Sequence, residues 1–314
     1  MKAWSKCHGL FVAPFTPFTS DGSVNLPLIK PYAEFLVSKG IRQAFVNGTA
    51  SEHASLTVVE RKALGAAWLS EGRAAGMQRI ILHCGAGNLL DSQELARHAE
   101  ELGADAVAAI APTYFKPADV EDLTAYLAAV AKACANTPFL YYHFPGITQL
   151  SSTSGEVTKS AAAAIPNFVG VKHTSIDLAD ASTAARFADG RYDVLVGGET
   201  MLLGALAMGM TGSIGISFSL LPTTCNRIYN SFLQGNIEDA RAAQAFLNDV
   251  WHGLMPSFGV NELIRSLKTA VDILHPQLDL GPTRLPIKPM SEERRLQLVA
   301  ALENLDVKNQ ENQR

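Results

Sequence analysis

PFLYYHFP (residues 138–145) and FVGVKHT (residues 168–174) decide the fold. Each opens on an apolar run of the kind found in parallel strands buried on both faces, and each run closes on a polar group, Tyr142 in the first and Lys172 in the second. A lysine ending a buried strand is unexpected, because a buried charge is costly unless it is paired or neutralised. Burial disfavours the charged form and lowers the lysine pKa from about 10.4 toward the range in which the free amine is nucleophilic. Such a lysine suits Schiff-base chemistry on a carbonyl substrate.

Working outward, the same unit repeats. Short β-rich runs occur at Leu10 to Ala13, Gln43 to Asn47, Arg79 to His83, Ala106 to Ile110, Pro138 to Tyr142, Phe168 to Lys172, Tyr192 to Val196 and Gly212 to Ile216. Helix-period segments separate them: Pro31 to Ser38, Val58 to Ala74, Ser92 to Leu102, Val120 to Ala133, Glu156 to Ala164, Ala179 to Ala188 and Met201 to Met208. This alternation predicts an α/β fold, a closed (β/α)8 TIM barrel over residues 1–220, in preference to a doubly wound sheet. From Leu221 the strand signals stop. Helical patterning at Cys225 to Leu233, Ile237 to Leu254, Glu262 to Ile273 and Glu292 to Leu302 predicts a C-terminal helical appendix, residues 221–305, packed on the barrel. The polar tail at 306–314 is expected to be frayed.

With 314 residues, 47% of them hydrophobic and 18% charged, the chain can bury a large core. A net charge of -4 without a basic stripe argues against nucleic acid as a partner. Cys7, Cys84, Cys134 and Cys225 are widely spaced, which fits reduced thiols better than a disulfide frame or a zinc site. The apolar stretch in MKAWSKCHGLFVAPF is too short and proline-broken for a signal sequence, and no run reaches the ~18 apolar residues of a membrane span. The expectation is a cytoplasmic protein with no membrane partner.

Strand parity sorts the candidate site residues, since working groups of such barrels sit at the C-terminal strand ends and alternate side chains point inward. Phe168, Gly170 and Lys172 share one parity, as do Leu140 and Tyr142, and the series Phe45, Asn47, Thr49 leads into the turn Gly48-Thr49-Ala50-Ser51. A Tyr hydroxyl beside the lysine is a candidate proton shuttle, and the Thr49 hydroxyl with nearby backbone N–H groups is a candidate carboxylate site. Taken singly, each has an ordinary alternative: Tyr142 a core residue with its hydroxyl at the rim, Lys172 a snorkelling amine, Thr49 plain turn chemistry. This chemistry needs no metal and no cofactor. His143 and His173 have the opposite parity and are expected to face the helical layer, while Gly85-Ala86-Gly87 is an incomplete dinucleotide fingerprint. His8, His53 and His83 lie near strand ends without metal-site spacing and are left unassigned.

Together these motifs resemble the pyruvate-dependent class I aldolase family that includes N-acetylneuraminate lyase and dihydrodipicolinate synthase. The family's Gly-[Ser/Thr]-Thr-Gly-Glu turn is similar to Gly48-Thr49-Ala50-Ser51-Glu52, its Tyr-x-x-Pro to Tyr142-His143-Phe144-Pro145, and its Gly-x-Lys-x-[Thr/Ser] to Gly170-Val171-Lys172-His173-Thr174. The eukaryotic neuraminate lyase branch is nearest, through FVNGT (45–49), FKP (115–117), YYHFP (141–145) and GPTRLP (281–286). The resemblance implies that Lys172 forms an imine with the C2 carbonyl of a 2-keto acid and that Tyr142 moves the C4 hydroxyl proton during carbon–carbon cleavage. It also implies that Thr49 and the Ala50 amide hold the carboxylate, with Thr49 and Tyr114 completing a hydroxyl relay. In the family the tyrosine matching Tyr114 often reaches across a dimer interface, so a homo-oligomer, dimer or tetramer, is expected. Thr174, Gly197, Glu199, Thr200, Ile214 and Ile216 complete the expected substrate lining.

The chain departs from the pattern at several places. Ala50 and Ser51 stand where the family has Thr and Gly, Gly197-Gly198-Glu199-Thr200 stands for the neuraminate lyases' Gly-x-Asp-Glu, and Ile216 replaces their serine after strand eight. Losing a polar partner for a substrate hydroxyl is worth about 1 to 3 kcal/mol. Ile147, where dihydrodipicolinate synthases usually carry Arg, argues against lysine biosynthesis. The leading expectation is a lyase cleaving N-acetylneuraminate to pyruvate and N-acetylmannosamine. The alternatives are an aldolase or dehydratase for another 2-keto acid, such as a 2-keto-3-deoxy sugar acid, and a non-catalytic keto-acid-binding barrel.

Overall fold

The structure, a computed structural model, describes residues 2–255 and 259–312. Its strands are β1 (Gly9–Val12), β2 (Gln43–Val46), β3 (Arg79–His83), β4 (Ala106–Ile110), β5 (Phe139–His143), β6 (Phe168–His173), β7 (Asp193–Val196) and β8 (Gly212–Gly215). They close in sequence order into a barrel, so the fold is the expected (β/α)8 TIM barrel. β3 to β8 pair in parallel, with Val107 opposite Phe139, Tyr142 opposite Lys172 and Lys172 opposite Leu195. β4 and β5 are buried at every residue, the reason their sequences read as continuous apolar runs without alternation. Where β6 meets β7, a Cβ on Gly170 would lie 2.2 Å from the carbonyl oxygen of Asp193, so glycine is what lets the strands approach.

A helix follows each strand: α1 (Ile29–Ser38), α2 (Val58–Ala67), α3 (Leu89–Glu101), α4 (Val120–Ala131), α5 (Ser154–Ala164), α6 (Leu178–Arg186), α7 (Leu202–Ala207) and α8 (Pro222–Leu233). Beyond them come α9 (Ile237–Leu254), α10 (Val260–Leu274), α11 (Glu292–Asn304) and α12 (Val307–Asn312). Several helices begin earlier than their apolar periodicity, because side-chain caps set the start. Asn88 accepts the Asp91 N–H and starts α3 at Leu89, while Thr153 and Glu156 form a capping box that starts α5 at Ser154. The expected helix from Val58 to Ala74 is interrupted by a π-type stretch at Trp68–Gly72.

The chain gathers into two compact units. The first contains residues up to Phe11, Ala44–Val46 and Arg79–Gly215, and so carries the barrel strands except the end residues Val12 and Gln43. Within it Ala181 and Ala184 of α6, Val194 and Val196 of β7, and Ala205 of α7 share one apolar cluster with Met210. The second contains Val12–Gln43, Asn47–Gln78 and the residues from Ile216 onward. There the Tyr32 and Trp68 rings meet edge to face at 5.5 Å, and the Trp251 indole N–H donates to Ser217 at 2.6 Å.

The expectation of a frayed tail is corrected for residues 307–312, which form α12 with Val307 and Glu311 buried. Its anchor is tertiary: the Glu311 carboxylate accepts the Thr223 N–H at 2.9 Å, the Thr224 N–H at 3.0 Å and the Thr224 hydroxyl, capping α8. Gln313 and Arg314 lie outside the described residues. Among the described residues no helix is long and apolar enough to cross a membrane. Cys7, Cys84, Cys134 and Cys225 are all buried and joined by no disulfide.

Candidate active site

Lys172 and Tyr142 stand side by side, opposite each other across β5 and β6, both on strand ends and both buried. The Lys172 Nζ lies 4.1 Å from the ring centroid of Tyr142 and 4.1 Å from that of Phe45 on β2. The two rings meet edge to face at 5.6 Å, and His83 closes on both, 5.7 Å from Tyr142 and 5.9 Å from Phe45. Phe144 stacks beside Tyr142 at 5.9 Å. His83 Nε2 accepts the Ile110 N–H at 3.3 Å, so in the neutral ring the proton sits on Nδ1.

Two effects act on the amine. Burial pushes the Lys172 pKa from its usual 10.5 down to about 7, against the Glu199 carboxylate, which raises it. Glu199 follows β7 and is itself buried, its carboxyl lying where Gly215 has no side chain: a Cβ there would come 2.6 Å from its Cδ and Oε1. A Cβ on Gly197 would likewise come 3.3 Å from the Lys172 Cε and 2.0 Å from the Thr174 Oγ1. That hydroxyl is buried and has no hydrogen-bond partner among the described residues, which leaves it available to a ligand. The arrangement holds a buried amine whose pKa is lowered to about 7, beside a phenol and an unsatisfied hydroxyl.

Of the residues expected from sequence, Lys172, Tyr142, Thr174, Gly197 and Glu199 thus share one neighbourhood. Ile214 lies buried within β8, Ile216 is buried just after it, and Thr200 is half-buried in the turn at Glu199–Met201. Thr49 and Ala50 occupy the turn that follows β2, Thr49 half-buried and Ala50 buried. In this turn the Glu52 N–H donates to the Thr49 carbonyl at 3.0 Å, and Glu52 takes a left-handed φ of 56°. Ser51 gives its hydroxyl to the Pro14 carbonyl at 2.7 Å, and its own carbonyl accepts the Thr16 hydroxyl at 2.7 Å. The serine that replaces the family's glycine is therefore used as an anchor. Tyr114 sits in the loop after β4, 86% exposed, edge-on to Phe115 at 5.0 Å.

The Phe45 and His83 rings that enclose the amine are not among the site residues expected from the sequence. Phe45 carried a signal, since it shares the inward parity of strand two with Thr49.

His143 and His173 sit on the outer parity of β5 and β6, as expected, with rings stacked at 5.3 Å. With Asp180 they bring potential ligand atoms within 4.8 Å of one another. The Asp180 carboxylate is already engaged: it accepts the Ser154 N–H at 2.7 Å, the Ser154 hydroxyl at 2.6 Å and the Gly155 N–H at 2.9 Å. Ser154 spends its one hydroxyl proton on Asp180, so the His173 Nδ1–H donates to Ser154 Oγ at 2.7 Å. Burial, with His173 adding to it, lowers the His143 pKa to about 4, and that ring is neutral. The chain His173–Ser154–Asp180 ties β6 to the first turn of α5 and to α6, and serves as a strut behind Lys172.

Residues 6–305 match the model of the dihydrodipicolinate synthetase family. The N-acetylneuraminate lyase of Danio rerio is 36% identical over 289 residues, covering 90% of this chain and 92% of that protein. The lyase of the same name from Mus musculus is 35% identical over 307 residues, covering 96% and 93%. The solved structure of the N-acetylneuraminate lyase (sialic acid aldolase) of Aliivibrio salmonicida superposes with a TM-score of 0.90 at 32% identity, covering 97% of this chain and 98% of that one. A family model that spans nearly the whole chain, relatives at this identity and a shared barrel lead to one conclusion: the chain belongs to the dihydrodipicolinate synthetase family.

Proposed function

We propose that this protein is a Schiff-base lyase that cleaves N-acetylneuraminate to pyruvate and N-acetylmannosamine. The observation that carries the proposal is the buried Lys172 amine, with a pKa of about 7, beside the Tyr142 ring. The neutral amine attacks the C2 carbonyl of the keto acid and, with loss of its oxygen as water, forms a protonated imine. The imine accepts the electron pair of the breaking carbon–carbon bond and becomes an enamine; protonation of the enamine carbon and hydrolysis then release pyruvate and the free lysine. Tyr142 takes the C4 hydroxyl proton as the carbon–carbon bond breaks. By the family resemblance Thr49 and the Ala50 amide hold the carboxylate, and Thr49 and Tyr114 extend the hydroxyl relay. Thr174, Gly197, Glu199, Thr200, Ile214 and Ile216 line the remainder. The substrate assignment draws on the relatives named N-acetylneuraminate lyase.

Borohydride reduction in the presence of pyruvate tests the chemistry. A pyruvate-sized adduct on Lys172, lost in Lys172→Ala, is the expected result; no adduct would remove the mechanism.

A second substrate is favoured by a specific observation: Ile216, apolar and buried, and Thr200 stand where neuraminate lyases offer a serine and a carboxylate. Cleavage of a 2-keto-3-deoxy sugar acid faster than N-acetylneuraminate would establish that reading. The aromatic pair Tyr114 and Phe115, each 86% exposed, supports a homo-oligomer, a dimer or a tetramer, in which Tyr114 serves a neighbouring copy. The buried, unbridged cysteines support a reducing, cytoplasmic setting.

A further inference from the structure

The C-terminal segment holds the turn that follows β2 through one buried carboxylate. Glu52, the last residue of that turn, is buried to 3% exposure. Its Oε1 accepts the Lys268 ammonium of α10 at 3.2 Å and its Oε2 accepts the Arg284 backbone N–H at 2.8 Å. Lys268 is 1% exposed, donates also to the Pro282 carbonyl at 2.8 Å, and lies 4.4 Å above the Phe18 ring. The Arg284 side chain extends the hold to residues on both sides of the turn. Its guanidinium donates to the Ser55 carbonyl at 3.0 Å, to the Gly22 carbonyl at 2.6 Å, and to both oxygens of Glu60 at 2.7 and 2.9 Å. Gly281 makes the approach possible, since a Cβ there would lie 2.0 Å from the Phe18 carbonyl oxygen. The stretch GPTRLP therefore supplies a close backbone approach, an acceptor for Lys268 and the Arg284 clasp.

A buried ion pair is a poor means of gaining stability, because apolar residues of similar volume often do as well or better. What a fixed charge pair provides is geometry. Here every bond to the Glu52 carboxylate is directed at the end of a turn whose other end is Thr49, and Glu52 N–H closes that turn on the Thr49 carbonyl at 3.0 Å.

We propose that Lys268 is a positioning residue for the turn Thr49–Glu52, acting with the Arg284 backbone N–H on the Glu52 carboxylate to set the turn's hydroxyl and amide for the substrate carboxylate. The proposal rests on the carboxylate role given to that turn under the proposed function.

The test uses pyruvate as the probe, on the full chain and on Lys268→Met, Glu52→Gln and the double variant Glu52→Gln/Lys268→Met. The rate of borohydride trapping is followed against pyruvate concentration, and hydrogen exchange is followed in the peptide spanning residues 47–57. The variants are expected to need about tenfold more pyruvate for half-maximal trapping, the worth of one charge-assisted hydrogen bond, with the rate at saturation little changed. Exchange in the peptide should rise in parallel. The double variant leaves no uncompensated charge and is expected to melt near the parent, yet keep the raised pyruvate requirement; a merely structural pair would lose both defects together. An unchanged half-saturation in folded variants overturns the proposal. If the parent chain itself gives no adduct, the proposed function falls, and the exchange measurement decides alone: unchanged protection of residues 47–57 then overturns the clamp.

Discussion

Lys172 and Tyr142 face each other across β5 and β6, and the Lys172 Nζ lies over the Tyr142 ring, 4.1 Å from its centroid. The ring that borders the amine thus belongs to the same residue whose hydroxyl is assigned the proton transfer. Burial lowers the lysine pKa to about 7 against the Glu199 carboxylate, which raises it, so the free amine is accessible near neutral pH.

The pH dependence follows in sign. Imine formation needs the free amine, so the trapping rate at saturating pyruvate is expected to rise through about pH 7 and level off above it, where an ordinary lysine would still be rising near 10.5. Linkage points the same way: between about 7 and 10.5 the unfolded chain holds a proton on this lysine that the folded chain does not. This group's contribution to stability is therefore full above 10.5 and is lost as pH falls through about 7. A trapping profile with its midpoint near 10 would contradict the buried-amine account.

Glu199→Gln removes the carboxylate that opposes burial. The Lys172 pKa then falls further, and the midpoint of the trapping profile moves to lower pH. An unmoved midpoint would show that Glu199 does not act on the amine, and would leave it a substrate contact alone.

Gly197→Ala places a methyl 2.0 Å from the Thr174 Oγ1 and 3.3 Å from the Lys172 Cε. Since the threonine hydroxyl must move, the variant is expected to lose about 1 to 3 kcal/mol of stability together with most trapping. Adding Thr174→Ala removes the closest atom in conflict, the Oγ1, while the residue-174 Cβ stays at 3.0 Å, and should recover most of the lost melting temperature. Failure of the second change to restore it would mean that another contact at Gly197 is responsible.

Which parts of this architecture were legible in the sequence depends on how local their cause is. The strands of the barrel lie within one or two residues of their apolar runs, because a strand buried on both faces declares itself by composition. Lys172 and Tyr142 were legible for the same reason, as polar groups ending such runs. Helix starts were read late at α3 and α5, where caps at Asn88 and Thr153 govern them and the apolar period does not. Phe45 and His83 fell on strand positions that parity could sort but not rank. The Glu52–Lys268 bond joins residues 216 apart, and the Glu311 cap that orders α12 spans 88 to Thr223; no local pattern announces either.

Tyr142→Phe separates the ring from its hydroxyl. The phenyl ring keeps the face that lies 4.1 Å from the Lys172 Nζ and the edge contacts to Phe45 and His83, so the amine stays enclosed and its cation–π contact, worth about 0.5 to 2 kcal/mol, is largely retained. Imine trapping with pyruvate, which requires no proton to leave a C4 hydroxyl, should therefore persist with its midpoint near pH 7. Cleavage of the keto acid, which does require that transfer, should fall by about 10² to 10⁴. Quench-flow trapping and steady-state turnover on the same preparation distinguish the outcomes. Loss of both activities would mean that the hydroxyl organises the amine, and full turnover would remove Tyr142 from the proton path and point to Thr174, whose buried hydroxyl has no partner among the described residues.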